Sequence, residues 1–576
     1  MMNLKAILLG TAAFAVVASA AYAEDQTAPS DQPKHHHHHM MAASGSDREE
    51  LLERKVEQLE QEVQDLKANQ GGGDVTSSQF EALQNQVYET QATVTSTMKS
   101  QASVKFSKSH LTISSPDGKY TFSPIVDVMG DWASYSKGQP LPSYATKGSL
   151  NLKSSGETFR RAQIGFQGAI AGDFGYKFLY DFGGANGDET YQAYAGPNSA
   201  IIVQTCKVAT SPCPAASQTT TTINNVFNSS TGAGTGPHIK EAWVSYKGIL
   251  APFALRIGIM PTPANLGDMT ASDDLLFLER PSPAQLSRGL DGDDGRESVG
   301  FIGNGDFWQA SAFLSGDSYG KGALIAPATT YGGGQEAVLG RAVAFPFLDP
   351  TTNFNVHLGG NFGYVIHPQE ATTTASPGVT TYPITFSDRP ELRVDNVTFV
   401  NTGSINARSA YAAGVEAAVS YGPFLIESEN FWYGIERNNP APGVTNPNFS
   451  GWYVEGSWVL TGEFRKYNPA TASYTRPSPA DPFDPSQGAW GAWELAARYS
   501  SDDFNYHTTA ANQADQVFGG KQDILSAGLN FYPNDTLKFM LDFQDVTLHN
   551  IGAPLTGGIP NNGSYNTISF RGQVAF

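Results

Sequence analysis

Trp493-Glu494-Leu495-Ala496-Ala497-Arg498-Tyr499 sets Trp493, Leu495, Ala497 and Tyr499 against Glu494, Ala496 and Arg498. Ile568-Ser569-Phe570-Arg571-Gly572-Gln573-Val574-Ala575-Phe576 repeats the pattern. A period of two sends alternate side chains to opposite faces of a β-strand. One face is apolar and ends in aromatic residues; the other is polar and carries both signs of charge. A sandwich in water would alternate too. The aromatic segment ends, the mixed-charge second face and the terminal Phe576 favour a barrel that turns its apolar face to lipid. Such a sheet has to close, because an open edge leaves backbone groups unpaired in hydrocarbon.

The same period runs outward from these segments. Ala162, Ile164, Phe166 and Ile170 alternate with Gln163 and Gln167; Tyr176, Phe178, Tyr180 and Phe182 alternate with Lys177, Leu179 and Asp181. Leu255, Ile257 and Ile259 alternate with Arg256, Gly258 and Met260. Residues 101–576 accommodate sixteen antiparallel spanning strands of about 30 residues each, loops included, with 14 or 18 left open. Sixteen strands enclose an aqueous channel rather than a packed core.

Before residue 101 the pattern differs. Lys5, the apolar stretch Ala6–Ala20 and the Ala21-Tyr22-Ala23 cleavage site read as a signal peptide over residues 1–23. A polar linker, 24–46, holds His35–His39, a flexible linker or tag scar. In residues 47–100, Leu52, Val56, Leu59, Val63 and Leu66 form a heptad seam with a capping box at Ser46 and Glu49. The expected fold is therefore a transmembrane β-barrel preceded by a short N-terminal coiled coil. Past residue 23 no run of about 18 apolar residues occurs, which excludes a helical membrane protein.

The chain has 576 residues, a net charge of −19, 16% charged residues and 11% aromatic residues. An acidic balance argues against a nucleic-acid partner. Cys206 and Cys213 lie in a Ser/Thr/Pro-rich stretch, and export permits a loop disulfide between them. Two cysteines are too few for a zinc site, and no cofactor or metal motif stands out. Gly316-Asp317-Ser318-Tyr319-Gly320 matches a nucleophile elbow in letters, but that motif needs a helix after the strand, and the text that follows is loop-like. An enzyme of the hydrolase type is the rival reading. Asp291-Gly292-Asp293-Asp294-Gly295 departs from a calcium loop at Gly295 and Ile302.

Several blocks together resemble the phosphate-selective porin O and P family: Phe159–Phe166 running on to Phe182, Ile239–Tyr246, Leu255–Met260, Phe277–Pro281, Trp452–Tyr467 with Leu460-Thr461-Gly462-Glu463, Gly488–Ser500, Gly528–Asn534 and Phe570–Phe576. The resemblance implies a trimeric outer-membrane porin in which an inward-folded loop narrows each pore and solutes diffuse passively. The homotrimer would sit in outer-membrane lipid and pass small solutes or inorganic anions, with the coil in the periplasm guiding trimer assembly or contacting the cell wall. Arg160 and Arg161 match a family pair at the constriction. By alternation Arg161 points inward, and Arg160 outward unless the strand begins after it; the alternative role for both is as wall arginines satisfied by carboxylates. Phe277–Arg296 is the expected constriction loop, with Glu279, Arg280, Asp293, Asp294 and Arg296. Lys177 and Arg256 join Arg161 on the lumen face. That face also carries Asp127, Asp131, Asp181, Glu416, Glu455, Glu494 and Asp542, so a general porin and a phosphate-preferring one both stay open.

Overall fold

The computed structural model describes residues 101–107, 110–139, 152, 154–183, 201–206, 218–223, 238–291, 295–318, 334–372, 380–395, 397–552 and 562–576, and four helical positions, Ala82, Asn85, Tyr88 and Glu89. The signal peptide, the His tract and the heptad seam lie outside the described residues, as do Cys213, Asp293 and Asp294.

Sixteen strands follow in chain order: β1 (Thr121–Gln139), β2 (Ser155–Ile170), β3 (Phe174–Asp181), β4 (His238–Leu250), β5 (Phe253–Met260), β6 (Arg296–Asn304), β7 (Trp308–Ser318) and β8 (Glu336–Asp349). They continue as β9 (Phe354–His367), β10 (Ile405–Tyr421), β11 (Phe424–Arg437), β12 (Asn448–Val459), β13 (Ala492–Tyr506), β14 (Val517–Tyr532), β15 (Leu537–His549) and β16 (Gly563–Ala575). Each pairs antiparallel with its neighbour, and β16 pairs with β1 from Ser564↔Gln139 to Ala575↔Asp127, closing the sheet. Closure leaves no edge in the sixteen-strand ring. Among the described residues no helix is long and apolar enough to cross a membrane.

The alternation read from the sequence is the alternation of the wall. Leu495, Leu525, Leu541, Ile568 and Phe570 face out, while Glu494, Arg498, Asp542, Ser569 and Arg571 are buried inside. Outward aromatic rings stack across strands at one end: Trp493 on Phe531 at 4.4 Å, Phe531 on Phe539 at 6.3 Å and Phe539 on Phe570 at 6.2 Å. Such a band suits a membrane interface, where amphipathic rings collect.

The two ends differ in connection length. At one end the strands turn within a few residues, as at 171–173, 251–252 and 422–423; at the other they are joined by long segments such as 261–295 and 368–404. One connection breaks the rule: 460–491, at the short-turn end, is long and opens on Leu460-Thr461-Gly462-Glu463.

Three of the long connections enter the barrel. The 261–295 segment, here called the strap, holds α1 (Leu266–Met269) and α2 (Ser282–Asp291). Asn265 caps α1, its side chain accepting from Asp268 N at 2.8 Å. Ala284, Leu286 and Leu290 of α2 pack with Phe386 of the 368–404 connection and with wall residues Tyr433, Phe449 and Phe504. From the opposite end, 460–491 inserts Tyr467 and Tyr474 beside Leu266, Ala418 and Leu425. The β8–β13 side of the interior is thus a packed apolar cluster. Gly528 on β14 shows how close the strap lies: a Cβ there would stand 3.0 Å from Asp542 Oδ1 and 3.1 Å from Phe277 Cε1.

Candidate functional site

The strap stretch before α2, Leu275–Pro281, has no strand partner, so its backbone polar groups need side chains. The wall supplies them. Lys538 Nζ donates to Leu275 O (2.5 Å), Asn530 Nδ2 to Leu276 O (2.9 Å), Arg571 Nη1 to Leu278 O (2.6 Å) and Arg498 Nη1 to Glu279 O (2.9 Å). Asp542 accepts from Leu278 N at 2.9 Å, and Tyr433 donates its hydroxyl to Pro283 O at 2.7 Å. At α1, Glu429 accepts from Leu266 N, Gly267 N and the Tyr453 hydroxyl at 2.9, 3.0 and 2.8 Å.

The same arginines are also paired with acids. Arg571 forks onto Asp131 at 2.6 and 2.7 Å and reaches Glu279 at 3.1 Å. Arg498 donates to Glu455 at 2.7 Å and to Glu391 at 3.0 Å, under the Phe277 ring. Arg465 forks onto Glu494, and Arg341 binds Glu416 and the carbonyls of Thr471 and Ala472. Bidentate guanidinium–carboxylate pairs hold geometry well.

The wall opposite, β2–β5, is different. Three register shifts interrupt it, and two of them insert a single residue. Met129 pairs with Arg161 and Gly130 with Phe159, so Arg160 is an extra residue in β2. Leu179 pairs with Glu241 and Tyr180 with Ile239, so Lys240 is extra in β4. A bulge re-aims a side chain that strict alternation would send outward. Arg160 therefore points inward beside Arg161, contrary to the alternation, and grips Glu279 through Nε (2.6 Å) and Nη2 (3.1 Å). Arg161 is buried; its Nη1 meets Met129 Sδ at 3.5 Å, and no carboxylate among the described residues bonds it. Lys177 pairs with Glu241 at 2.7 Å, and Arg256 lies 4.0 Å over the Trp243 ring. Arg160 and Lys177 keep 17% and 22% of their side-chain surface accessible, against 0% for Arg498 and Arg571. The accessible cations are on the β2–β3 side.

On the strap, burial alone would raise the Glu279 carboxyl, but Arg160 and Arg571 overcome it and hold it well below the usual range. Asp274 goes the other way, pushed up to about 6 by burial and by Asp273 beside it.

Of the residues expected at the constriction, Arg160, Arg161 and Glu279 come together; Lys177 and Arg256 face the interior of the same wall at another level, Lys177 pairing with Gln167, six residues along β2 from Arg161. Arg280 is buried and folds the strap, donating to Gly267 O at 2.6 Å and Thr270 O at 2.9 Å. Arg296 ties the start of β6 to Gly316 O at 3.0 Å and to α2 through Gly289 O at 3.4 Å. Gly316–Ser318 continue β7; Tyr319 and Gly320 lie outside the described residues. Periodicity did not single out Glu391, Arg393, Arg341 or Arg465; Glu391, Arg393 and Arg465 sit on inward connections and Arg341 lies against one.

Residues 214–576 match the family described as phosphate-selective porin O and P. An uncharacterized protein of Caulobacter vibrioides is 31% identical over 213 residues, 36% of this chain and 38% of that protein. Porin O of Pseudomonas aeruginosa is 28% identical over 126 residues, 22% of this chain and 27% of its own. The matched stretches thus span little more than a third, and about a quarter, of these relatives' lengths. Among solved structures, the outer membrane channel DcaP of Acinetobacter baumannii superposes with a TM-score of 0.41 at 9% identity, over 79% of this chain and 97% of that one.

Proposed function

The chain belongs to the phosphate-selective porin O and P family, and on that premise we propose that it is an outer-membrane porin through which small hydrophilic solutes diffuse passively. The observation that carries this reading is the closed sixteen-strand wall, apolar outside and charged inside, with a strap across its interior. A wet lumen lets mixed charges stand inside a membrane at low cost.

The passage runs between the strap and the β2–β5 wall, because the β8–β13 side is filled by packed side chains. Solutes there meet Arg160 and Lys177, with Arg256 half-buried and Arg161 buried behind them adding positive charge to the wall. A run of unpaired arginines would hold phosphate tightly; here Arg571, Arg498, Arg465 and Arg341 are bound to carboxylates, so the passage is a general one with a mild anion preference. The short turns and the coil face the periplasm and the long connections face outside. Three copies assemble, with the heptad seam bringing them together.

Swelling of protein-loaded vesicles in small neutral sugars tests the channel. Entry should slow as the sugar grows; absence of swelling counts against a channel. Deleting Asp47–Gln70 tests the coil, since loss of trimers on native gels supports an assembly role.

A further inference from the structure

We propose that Glu391 is a positioning residue that sets the width of the passage by clasping the strap to the wall; this rests on the channel reading above. Glu391 belongs to neither the strap nor a strand. It lies on the 368–404 connection, 1% exposed, at φ +47°. A residue with a Cβ occupies that left-handed region only where its surroundings over-determine it.

The surroundings are three separate elements. Glu391 Oε1 accepts from Ser282 N, the first residue of α2, at 3.0 Å, and from the Ser500 hydroxyl of β13 at 2.5 Å. Its Oε2 accepts from Arg498 Nη1 at 3.0 Å. Its own carbonyl accepts from Gln544 Nε2 of β15 at 3.2 Å. The carboxylate thus caps α2 where orphan N–H groups and the helix dipole favour a negative charge. It also fixes Arg498, whose Nη1 simultaneously holds Glu279 O of the strap. The side chain therefore registers α2 and, through Arg498, the strap before it against β13, while the Glu391 carbonyl ties the second inward connection to β15. Being buried, Glu391 does not meet solute. Its influence on the passage is through the position of the strap.

The experiment compares single channels of full-length wild type, Glu391→Ala, Glu391→Asp and Glu391→Gln in planar lipid bilayers. Neutral polyethylene glycols of graded size measure the opening, and reversal potential in a KCl gradient measures selectivity. Glu391→Ala should raise conductance roughly twofold and admit larger polymers while leaving the reversal potential at the wild-type value. Glu391→Asp keeps the charge but loses reach, so it should give an intermediate conductance, and it serves if the alanine variant fails to assemble. Glu391→Gln keeps an oxygen for Ser282 N and Ser500 but turns an NH2 group toward Arg498, so it should fall between wild type and Glu391→Ala. Wild-type conductance and polymer cut-off in both Glu391→Ala and Glu391→Asp would overturn the proposal. So would a shifted reversal potential at unchanged conductance, which would put Glu391 in the path of the ions. Wild-type steps test the channel itself; the ratio of variant to wild type tests the clasp.

Discussion

Arg160–Arg161 on β2 and Arg498 with Arg571 on β13 and β16 are arginines on the inner face of one barrel. Arg498 and Arg571 have no accessible side-chain surface, and each holds both a carboxylate and a carbonyl of the strap. Arg160 keeps a side open, and Arg161 has no carboxylate bonded to it among the described residues. What stands opposite each guanidinium makes the difference. On β11–β16 it is a strap whose unpaired backbone must be satisfied, so charge there is used to fix structure. On β2–β5 the strap is bound through Glu279, and Arg160 and Lys177 keep part of their surface accessible. Identical residue types on one lumen wall do not imply one function.

Breaking the fixed side should have the largest effect. Arg571→Ala leaves Asp131 buried without its partner and frees Leu278 O, and should cost about 3–5 kcal/mol of unfolding stability. Denaturant unfolding of the detergent-solubilised protein measures it; a loss under about 1 kcal/mol would mean that wall is not an anchor. Tyr453→Phe removes one hydroxyl from Glu429 and should cost about 1.5–3 kcal/mol in the same assay, with the α1 region loosened first.

The open side should respond in the opposite way. Arg161→Ala breaks no ion pair and should cost less stability than Arg571→Ala in the same assay, its loss being one of packing against Met129. Its reversal potential should move toward cation preference; an unmoved potential would reject a place for Arg161 along the passage.

The smallest effect belongs to the rim. Asp515, on the connection after β13, is held at about 2 against the usual 3.8 by hydrogen bonds from His507 and from Thr445. A depressed carboxyl stabilises above its unfolded pKa and loses that contribution as pH falls through its folded one. Amide protection in 438–447 and 507–516 should therefore persist at pH 5 and fade between about pH 4 and pH 2. Asp515→Asn should abolish the pH dependence.

Strand positions were legible because period two is local: Trp493–Tyr499 and Ile568–Phe576 carry it within a few residues. The inward turn of Arg160 was not, because a bulge is set by its pairing with Met129 and Gly130. The strap was legible through its family-like Phe277–Pro281 block. The inward course of 380–404 and 460–491 was hidden, since wall side chains far away in sequence decide it: Arg498 and Gln544 for Glu391, Arg341 for Thr471 and Ala472. The mixed lumen charge was visible in composition, but which arginines it neutralises depends on register, as with Glu455 opposite Arg498.

The most direct test of the whole account is the conductance of purified full-length protein in planar bilayers. Discrete, stepwise increases that persist under voltage are the predicted result, because a closed sixteen-strand wall with a charged inner face encloses an aqueous channel. A bilayer that stays silent after insertion has been verified would contradict it.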